Sequence, residues 1–255
     1  MFKNDLVFRK PLMNAAGMLG FAPDNHTGLN SFPAGDWDDF GAFVTNPISL
    51  RPRLPSTNPE IIEYPGGVLL HTGLPNPGLS VVIKKYSRRW ATALLPIIVH
   101  LMADRPVETA SMVRSLEGLE NIAAIELGFA PLLAEDIILD ALENSLGELP
   151  LIVNLPFDQL LSLGSKVIQA GAAALSFAAP RGTLVLEANP KESSRFVTGR
   201  LFGPGLFPQS FDLLRSLTRL DLPVVGGVGI YSQEQASNML AAGALAVQID
   251  TLLWK

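Results

Sequence analysis

The sequence predicts an α/β fold, a single (β/α)8 TIM barrel, from its length, its composition and the order of its apolar segments. Its 255 residues match the usual size of one eight-stranded barrel. Hydrophobic residues make up 48% of the chain and charged residues 17%, which favours a buried parallel sheet under amphipathic helices over a disordered chain. Short apolar runs rich in β-branched residues alternate with longer helical patterns, as parallel strands joined by crossovers do. We therefore expect one domain spanning residues 1–255.

Eight of the short apolar runs are predicted to form the barrel strands, since eight parallel strands close such a barrel. In chain order they are Leu12–Ala16, Ala42–Thr45, Pro96–Leu101, Ala123–Leu127, Leu151–Leu155, Ala173–Phe177, Pro223–Gly226 and Ala244–Ile249.

Two of the predicted helices have well-defined ends. Apolar side chains recur at spacings of three and four along Asp158–Ala170, and Gly171 is placed to end that helix. The other helix begins at Ser232, which has the spacing of a capping box with Gln235, and it runs to Gly243.

Three features depart from a regular strand–helix repeat. The Pro-rich loop from Pro47 to Pro77 and the segment from Gly182 to Pro208 are long excursions, which in barrels usually carry the functional site. Only four residues follow Thr251, too few for an eighth helix. We therefore expect the barrel to lack its last outer helix, and an oligomer partner or the N-terminal segment to cover the exposed strand.

Composition and charge exclude several classes of function. The net charge is −5 and no run of Lys and Arg exceeds a pair, so we expect no binding of nucleic acid. The absence of cysteine excludes disulfides, thiolate metal sites and a cysteine base. No apolar stretch has the length of a membrane span or the form of a secretion signal, which predicts a cytoplasmic protein without a membrane partner.

Several sequence motifs occur in the order of one enzyme family. They are Asn14-Ala-Ala-Gly17, Gly41-Ala-Phe-Val-Thr45, Arg51-Pro-Arg53, Asn58-Pro59, Gly73-Leu-Pro-Asn-Pro-Gly78, Gly199–Pro208, Pro223–Ile230 and Gly243–Thr251. Together they resemble the dihydroorotate dehydrogenase family in its class 1 form, through almost the whole chain. The resemblance implies an FMN-dependent oxidoreductase of pyrimidine biosynthesis that acts on CH–CH bonds. It also implies cofactor contacts at Ala16, Gly17, Thr45, Asn46, Asn154, Gly203, Gly227, Gly229 and Thr251.

The residues that carry catalysis in that family are replaced in this chain. The family base is a cysteine or serine on the loop after the fourth strand, where this chain reads Gly128-Phe-Ala-Pro131. Neither Ala130 nor Pro131 accepts a proton. Two family lysines that stabilise the reduced flavin match Asn46 and Asn154, and asparagine carries no charge.

The substrate-reading and phosphate-binding positions differ as well. Family asparagines that read the pyrimidine match His71, Gly128 and the pair Ala178–Ala179. The family's phosphate-binding positions match Val228-Gly229 and Asp250-Thr251. A carboxylate such as that of Asp250 within roughly 4 Å of a phosphate would repel it by on the order of 1 to 4 kcal/mol. The bulky Phe202 stands where the family commonly has a serine beside the flavin. This pattern is typical of a retained scaffold with an abandoned flavin site.

Several residues of the expected barrel mouth are candidates for another activity. His71 is a candidate general base, because histidine is readily tuned for proton transfer near neutral pH, although a solvent-facing loop histidine fits the sequence too. Glu126 and Asp250 are placed to approach the same rim, and Glu126 fits an internal ion pair equally well. His26 and His100 have no acidic or histidine neighbours at ligand spacing, so we predict no metal site.

Three functions follow from these observations. The first is an FMN oxidoreductase of the dihydroorotate dehydrogenase type with altered contacts, which the resemblance favours. The second is a non-catalytic relative that acts as a subunit or binds a small anion, which the residue chemistry favours. The third is a different barrel enzyme that uses His71 or Asp250 on a small anionic metabolite. Arg51, Arg53 and Arg181 are candidates to clamp such an anion, or ordinary surface arginines.

Overall fold

Eight parallel strands close into a barrel in this computed structural model, as the sequence predicts. The structure describes residues 6–23, 40–57, 60–186 and 195–254. The described strands are β1 (Leu12–Asn14), β2 (Phe40–Val44), β3 (Glu60–Tyr64), β4 (Gly67–His71), β5 (Ile97–Met102), β6 (Ile122–Gly128), β7 (Leu151–Pro156), β8 (Ala174–Ala178), β9 (Arg181–Leu186), β10 (Arg195–Phe202), β11 (Val224–Gly227) and β12 (Ala246–Ile249). The ring runs β1-β12-β11-β8-β7-β6-β5-β2 and closes where β2 pairs with β1.

One or two apolar side chains from every barrel strand form a packed layer inside the barrel. The layer consists of Met13, Ala42, Val44, Ile98, Ala124, Ile152, Ala174, Val225 and Ala246. Alanines alternate with larger side chains, so the layer fills the interior as in other barrels of this size. Leu6 and Phe8 of the N-terminal segment pack against it. At the level of this layer the barrel interior is therefore filled by side chains.

Amphipathic helices cover the outside of the barrel. The described α-helices are α1 (Leu79–Ala91), α2 (Pro106–Arg114), α3 (Glu135–Glu143), α4 (Phe157–Gln169), α5 (Phe207–Thr218) and α6 (Gln233–Ala241). The predicted boundaries of α4 and α6 are confirmed to within two residues. At α6 the Ser232 side chain accepts a hydrogen bond from the backbone N–H of Gln235, while the Gln235 side chain accepts one from Tyr231 and not from Ser232. No helix in the described part of the chain has the length and apolar character to cross a membrane.

The two excursions form a second sheet that the sequence analysis did not predict. Strands β3, β4, β10 and β9 are antiparallel neighbours in that order. The expectation of a loop from Pro47 to Pro77 is therefore wrong over residues 60–71, which form β3, a short turn and β4. The β4 and β10 strands meet at Gly67 and Gly203, where the backbones approach so closely that a Cβ on either glycine would overlap the other strand.

A short 3-10 turn, Thr251–Trp254, follows β12. Leu252 and Leu253 pack against the core, and the Trp254 indole donates a 3.0 Å hydrogen bond to the carbonyl of Met18. In the ranges that the structure describes, no α-helix follows β12. The expectation that the chain is an oligomer stays a prediction.

Candidate functional site

A cavity of ≈ 730 Å³ opens at the carboxyl ends of the barrel strands. Residues near the ends of β5 to β8 line it, among them Met102, Gly128, Asn154 and Ala178. The four-stranded sheet forms one wall. The carboxyl end is where barrels of this type place their active sites, so this cavity is the candidate functional site.

His100 and Glu126 lie side by side on the lining of the cavity. They are in register on the neighbouring strands β5 and β6. The Nδ1 atom of His100 lies 2.6 Å from Oε2 of Glu126, and only 4% and 0% of the two side chains are exposed. A carboxyl group buried this deeply needs hydrogen-bond partners for both oxygens.

The second oxygen of Glu126 has two further partners. Its Oε1 accepts hydrogen bonds from the Ser176 hydroxyl at 2.6 Å and from the Gln248 amide at 2.7 Å. Asn154 in turn donates to the Ser176 hydroxyl at 2.9 Å. Burial alone would raise the pKa of Glu126, but the hydrogen bond and charge of His100 and the hydrogen bonds of Ser176 and Gln248 lower that pKa below its ordinary value of 4.5. Glu126 is therefore an ionised carboxylate near neutral pH.

The hydrogen bond to Glu126 fixes which nitrogen of the His100 ring faces the carboxylate. A carboxylate only accepts hydrogen bonds, so Nδ1 carries the proton of this bond, and Nε2 is an acceptor whenever the ring is neutral. Among the described residues, none forms a hydrogen bond with Nε2. Gly128 leaves room for this side of the ring, because a Cβ at position 128 would overlap Nε2. The pair can accept a proton at Nε2 while Glu126 stabilises the resulting imidazolium.

Two arginines lie next to each other on the sheet that forms the cavity wall. Ile61, Leu70, Arg200 and Arg181 are successive partners across β3, β4, β10 and β9, and all four line the cavity. Burial, and then the positive charge of Arg181, lower the pKa of Arg200 from its ordinary value, and the negative charges of Glu126 and Asp104 oppose that change. Arginine nevertheless keeps its charge in proteins. Neither guanidinium has a hydrogen-bond or ion-pair partner within the described ranges.

The carboxylate of Asp250 lies among backbone donors at the ends of β11 and β12. Its Oδ2 accepts a 2.9 Å hydrogen bond from Gly229 N–H, and its Oδ1 accepts a 3.3 Å bond from the Thr251 hydroxyl. The side chain is buried, which raises the pKa of Asp250, and hydrogen bonds from the backbone of Gly229, Thr251 and Leu252 oppose that rise. A protein carboxylate therefore occupies the donors that the resemblance assigns to a phosphate.

The nine residues that the resemblance assigns to the cofactor differ in whether they line the cavity. Three of them, Ala16, Gly17 and Asn154, line the cavity. The other six do not line it, and they are Thr45, Asn46, Gly203, Gly227, Gly229 and Thr251.

The polar members of that set have partners inside the protein. The buried Thr45 hydroxyl accepts a 3.0 Å hydrogen bond from the backbone of His100. Asn46 accepts one of 3.0 Å from the backbone of Gly20. Asn154 belongs to the Glu126 network, as described above. The two asparagines at the family's lysine positions thus stabilise the barrel rim itself.

The other predicted site residues are spread around the cavity. His71, at the end of β4, lines it and donates from Nδ1 to the Thr198 carbonyl at 2.8 Å. Of the three arginines considered for an anion clamp, Arg53 and Arg181 line the cavity and Arg51 does not. The described part of the chain holds no group of three or more His, Asp or Glu side chains able to bind a metal ion, and His26 lies outside it.

Sequence reasoning missed the two most distinctive residues of the cavity, His100 and Arg200. His100 was discounted because its acidic neighbour is distant along the chain. The signal was present, because His100 and Glu126 are each the second-last residue of neighbouring predicted strands. Arg200 follows Phe196 and Thr198 at intervals of two, an alternation that indicates a strand with one face towards the site.

Comparisons with known proteins agree with the resemblance. The family model described as dihydroorotate dehydrogenase matches residues 3–129. A protein of Trichlorobacter lovleyi named dihydroorotate dehydrogenase B (NAD(+)), catalytic subunit, is 30% identical over 267 residues, which cover 96% of this chain and 84% of that protein. Proteins of the same name are 27% identical in Geotalea uraniireducens, over 95% of this chain and 83% of the relative, and 29% identical in Streptococcus pneumoniae, over 96% and 83%.

Proposed function

Because the chain belongs to the dihydroorotate dehydrogenase family, we propose that it binds a small organic anion in the family's barrel mouth and does so without FMN. The position of Asp250 carries this proposal. Its carboxylate already accepts the Gly229 N–H, a backbone donor of the kind that a cofactor phosphate needs. A phosphate dianion at the same place would have to displace a buried carboxylate or lie against it.

The remaining flavin contacts support the same conclusion. Asn46 and Asn154 replace the lysines that would balance a reduced, anionic flavin, and both amides have partners in the protein. Phe202 packs against Met18 and Ala179 in an apolar cluster on the cavity lining. On these residues the site does not fit FMN.

The cavity is nevertheless suited to a small acid. Its volume is within the range of small-molecule sites, and apolar residues share its lining with arginines. We include in this proposal that the chain works as part of an oligomer, because the relatives' name describes each of them as a catalytic subunit.

The second candidate function is a flavin-dependent oxidoreductase of the family type. Membership of the family favours it, as do Gly17 and Gly229, which keep the left-handed backbone open to glycine at two positions of the resemblance, with φ of 89° and 81°. Ala16 and Gly17 also remain at the cavity. The two candidates differ in whether the protein retains FMN.

The absorbance spectrum of the purified protein, before and after incubation with FMN and desalting, tests the choice. We expect a colourless protein that retains no flavin and whose melting temperature rises with small organic acids. A yellow protein with stoichiometric FMN, bleached by dihydroorotate, would establish the second candidate. Light scattering of the same sample tests the oligomer, and a monomer would contradict that part.

A further inference from the structure

Arg181 and Arg200 pose a physical problem that a ligand would solve. The two residues are direct partners on antiparallel strands, and like charges in such positions destabilise a sheet. Both residues line the same cavity, and within the described ranges neither forms an ion pair, although the charges of Glu126 and Asp104 act on Arg200 from farther away. Two cations held together at a concave surface without a direct ion pair are a common arrangement for binding an oxyanion.

The surroundings of the pair restrict what the ligand can be. Leu70 and Ile61 continue the same row of the sheet, and Met102 and Phe177 also line the cavity. These side chains would contact a carbon skeleton and not a bare inorganic ion. The ligand therefore combines one anionic group with an apolar body.

A second polar centre lies in the same cavity. The Nε2 atom of His100 has no hydrogen-bond partner among the described residues, and Glu126 holds the opposite side of its ring. The charge of Arg200 is close enough to Glu126 for the two to attract each other. Glu126 thus interacts with both Arg200 and His100, so the arginine pair and the imidazole are electrostatically coupled through it.

We infer that Arg181 and Arg200 form a subsite for the anionic group of a small organic acid, with the body of that acid held towards Nε2 of His100. This inference rests on the proposed function and adds the ligand class and the residues that select it. The guanidinium groups accept a carboxylate or a phosphate monoester, since both offer oxygens to a planar fork of N–H donors. His100 then accepts a hydrogen bond or a proton from the bound acid through Nε2.

Calorimetric titration of the full-length protein with benzoate, phenyl phosphate and benzamide tests the subsite. Benzamide matches benzoate in shape but has no charge. We expect at least one of the two anions to bind and benzamide to bind about ten-fold more weakly or not at all. The preferred anion identifies the ligand as a carboxylate or a phosphate ester.

The variants Arg200→Gln and Arg181→Gln should each weaken binding of that anion about ten- to hundred-fold. Their unliganded melting temperatures should stay close to that of the wild type, because each substitution removes the repulsion between the two guanidinium groups, and at Arg200 the lost attraction to Glu126 and Asp104 offsets that gain. Arg88→Gln, on the surface of α1, is the matched control and should change neither property. Unchanged binding in both arginine variants would overturn the subsite, and so would equal binding of benzamide.

Nitrogen-15 NMR of the three histidines provides a readout at His100. Anion binding should shift the Nε2 resonance of His100, identified by its loss in His100→Asn, more than that of His71. If the anion binds and the His100 resonance does not move, the orientation of the ligand towards His100 is wrong. If neither anion binds to the wild type, both the subsite and the proposed function are wrong, whereas binding that the arginine variants leave intact contradicts the subsite alone.

Discussion

The backbone N–H of Gly229 donates a 2.9 Å hydrogen bond to the carboxylate of Asp250, across the carboxyl ends of two neighbouring barrel strands. Gly229 has a φ of 81°, and a Cβ there would come within 2.5 Å of the backbone nitrogen of Phe207. Only glycine fits this turn. The turn thus presents a backbone N–H of the kind that binds anions, and the carboxylate of Asp250 accepts it.

Replacing Asp250 with glycine should create an affinity for phosphate that the wild type lacks. The substitution removes a charge whose repulsion is worth about 1 to 4 kcal/mol, so the gain should reach about ten-fold or more. Inorganic phosphate binding, followed by phosphorus-31 NMR line broadening, measures it. Asp250→Asn is the control, because it removes the charge but keeps an oxygen for Gly229, and it should gain less. Equal phosphate affinity in wild type and Asp250→Gly would contradict this account.

Glu126→Gln should destabilise the protein by about 3 to 5 kcal/mol at neutral pH. The change removes the charge that faces His100 and replaces one of two accepting oxygens with an NH2 group, which sets a donor against the donors of the buried network. Urea unfolding measures the free energy. Glu135→Gln makes the same chemical change in the exposed pair with Lys166, where the side chains are 42% and 52% exposed, and should cost less than about 1 kcal/mol. A similar loss of unfolding free energy in both variants would show that the buried network stabilises the protein no more than the exposed ion pair does.

The contribution of Glu126 to stability should depend on pH in a defined direction. Its folded-state pKa lies below the ordinary 4.5, so the unfolded chain binds more protons between these two values. The stabilisation is fully present above pH 4.5 and is lost as pH falls through the folded-state pKa. Unfolding free energies of wild type and Glu126→Gln should therefore converge in acid. For Asp250, whose pKa is raised by burial, the sign is reversed, and its contribution is lost as pH rises through the raised pKa.

Gly128→Ala should displace the His100 ring from Glu126. The added Cβ would overlap the imidazole, and overpacking of a buried site costs about 1 to 3 kcal/mol. Urea unfolding measures the cost, and histidine NMR should show the Nδ1–H signal of His100 weakened or moved. Gly205→Ala is the matched control, because a Cβ there makes only an ordinary 3.8 Å contact with the Gly66 carbonyl. An unperturbed His100 signal in Gly128→Ala would mean that position 128 does not determine the ring's placement.

The barrel could be predicted from the sequence because each of its strands is a local signal. An apolar run such as Leu151–Leu155 is buried on both faces whatever its neighbours are, and the structure has β7 at Leu151–Pro156. The hairpins β3–β4 and β9–β10 have weaker apolar patterns in the sequence, because each hairpin is half exposed. They form one sheet only when β4 pairs with β10. Short strands of this kind are defined by partners that are distant in the chain.

The sequence predicted those parts of the candidate site in which a single residue determines the chemistry. It did not predict the parts that depend on two residues from different strands. Asp250 was identified from its position beside the expected phosphate, and the structure places it on Gly229 N–H. The partnership of His100 with Glu126 depends on the relative register of two strands, which no property of either strand fixes alone. The same holds for Arg181 and Arg200, whose opposition depends on the register of β9 with β10.

The pairing of β4 with β10 also bears on the order in which the molecule folds. His71 and Thr198, hydrogen-bonded across these strands, are 127 positions apart in the chain. Contacts of such long sequence separation carry a large loop-closure cost and slow the folding step that forms them. A refolding chain would then regain its helical circular dichroism before it could bind a small molecule. The time at which ligand binding returns would report when the hairpin β3–β4 pairs with the hairpin β9–β10.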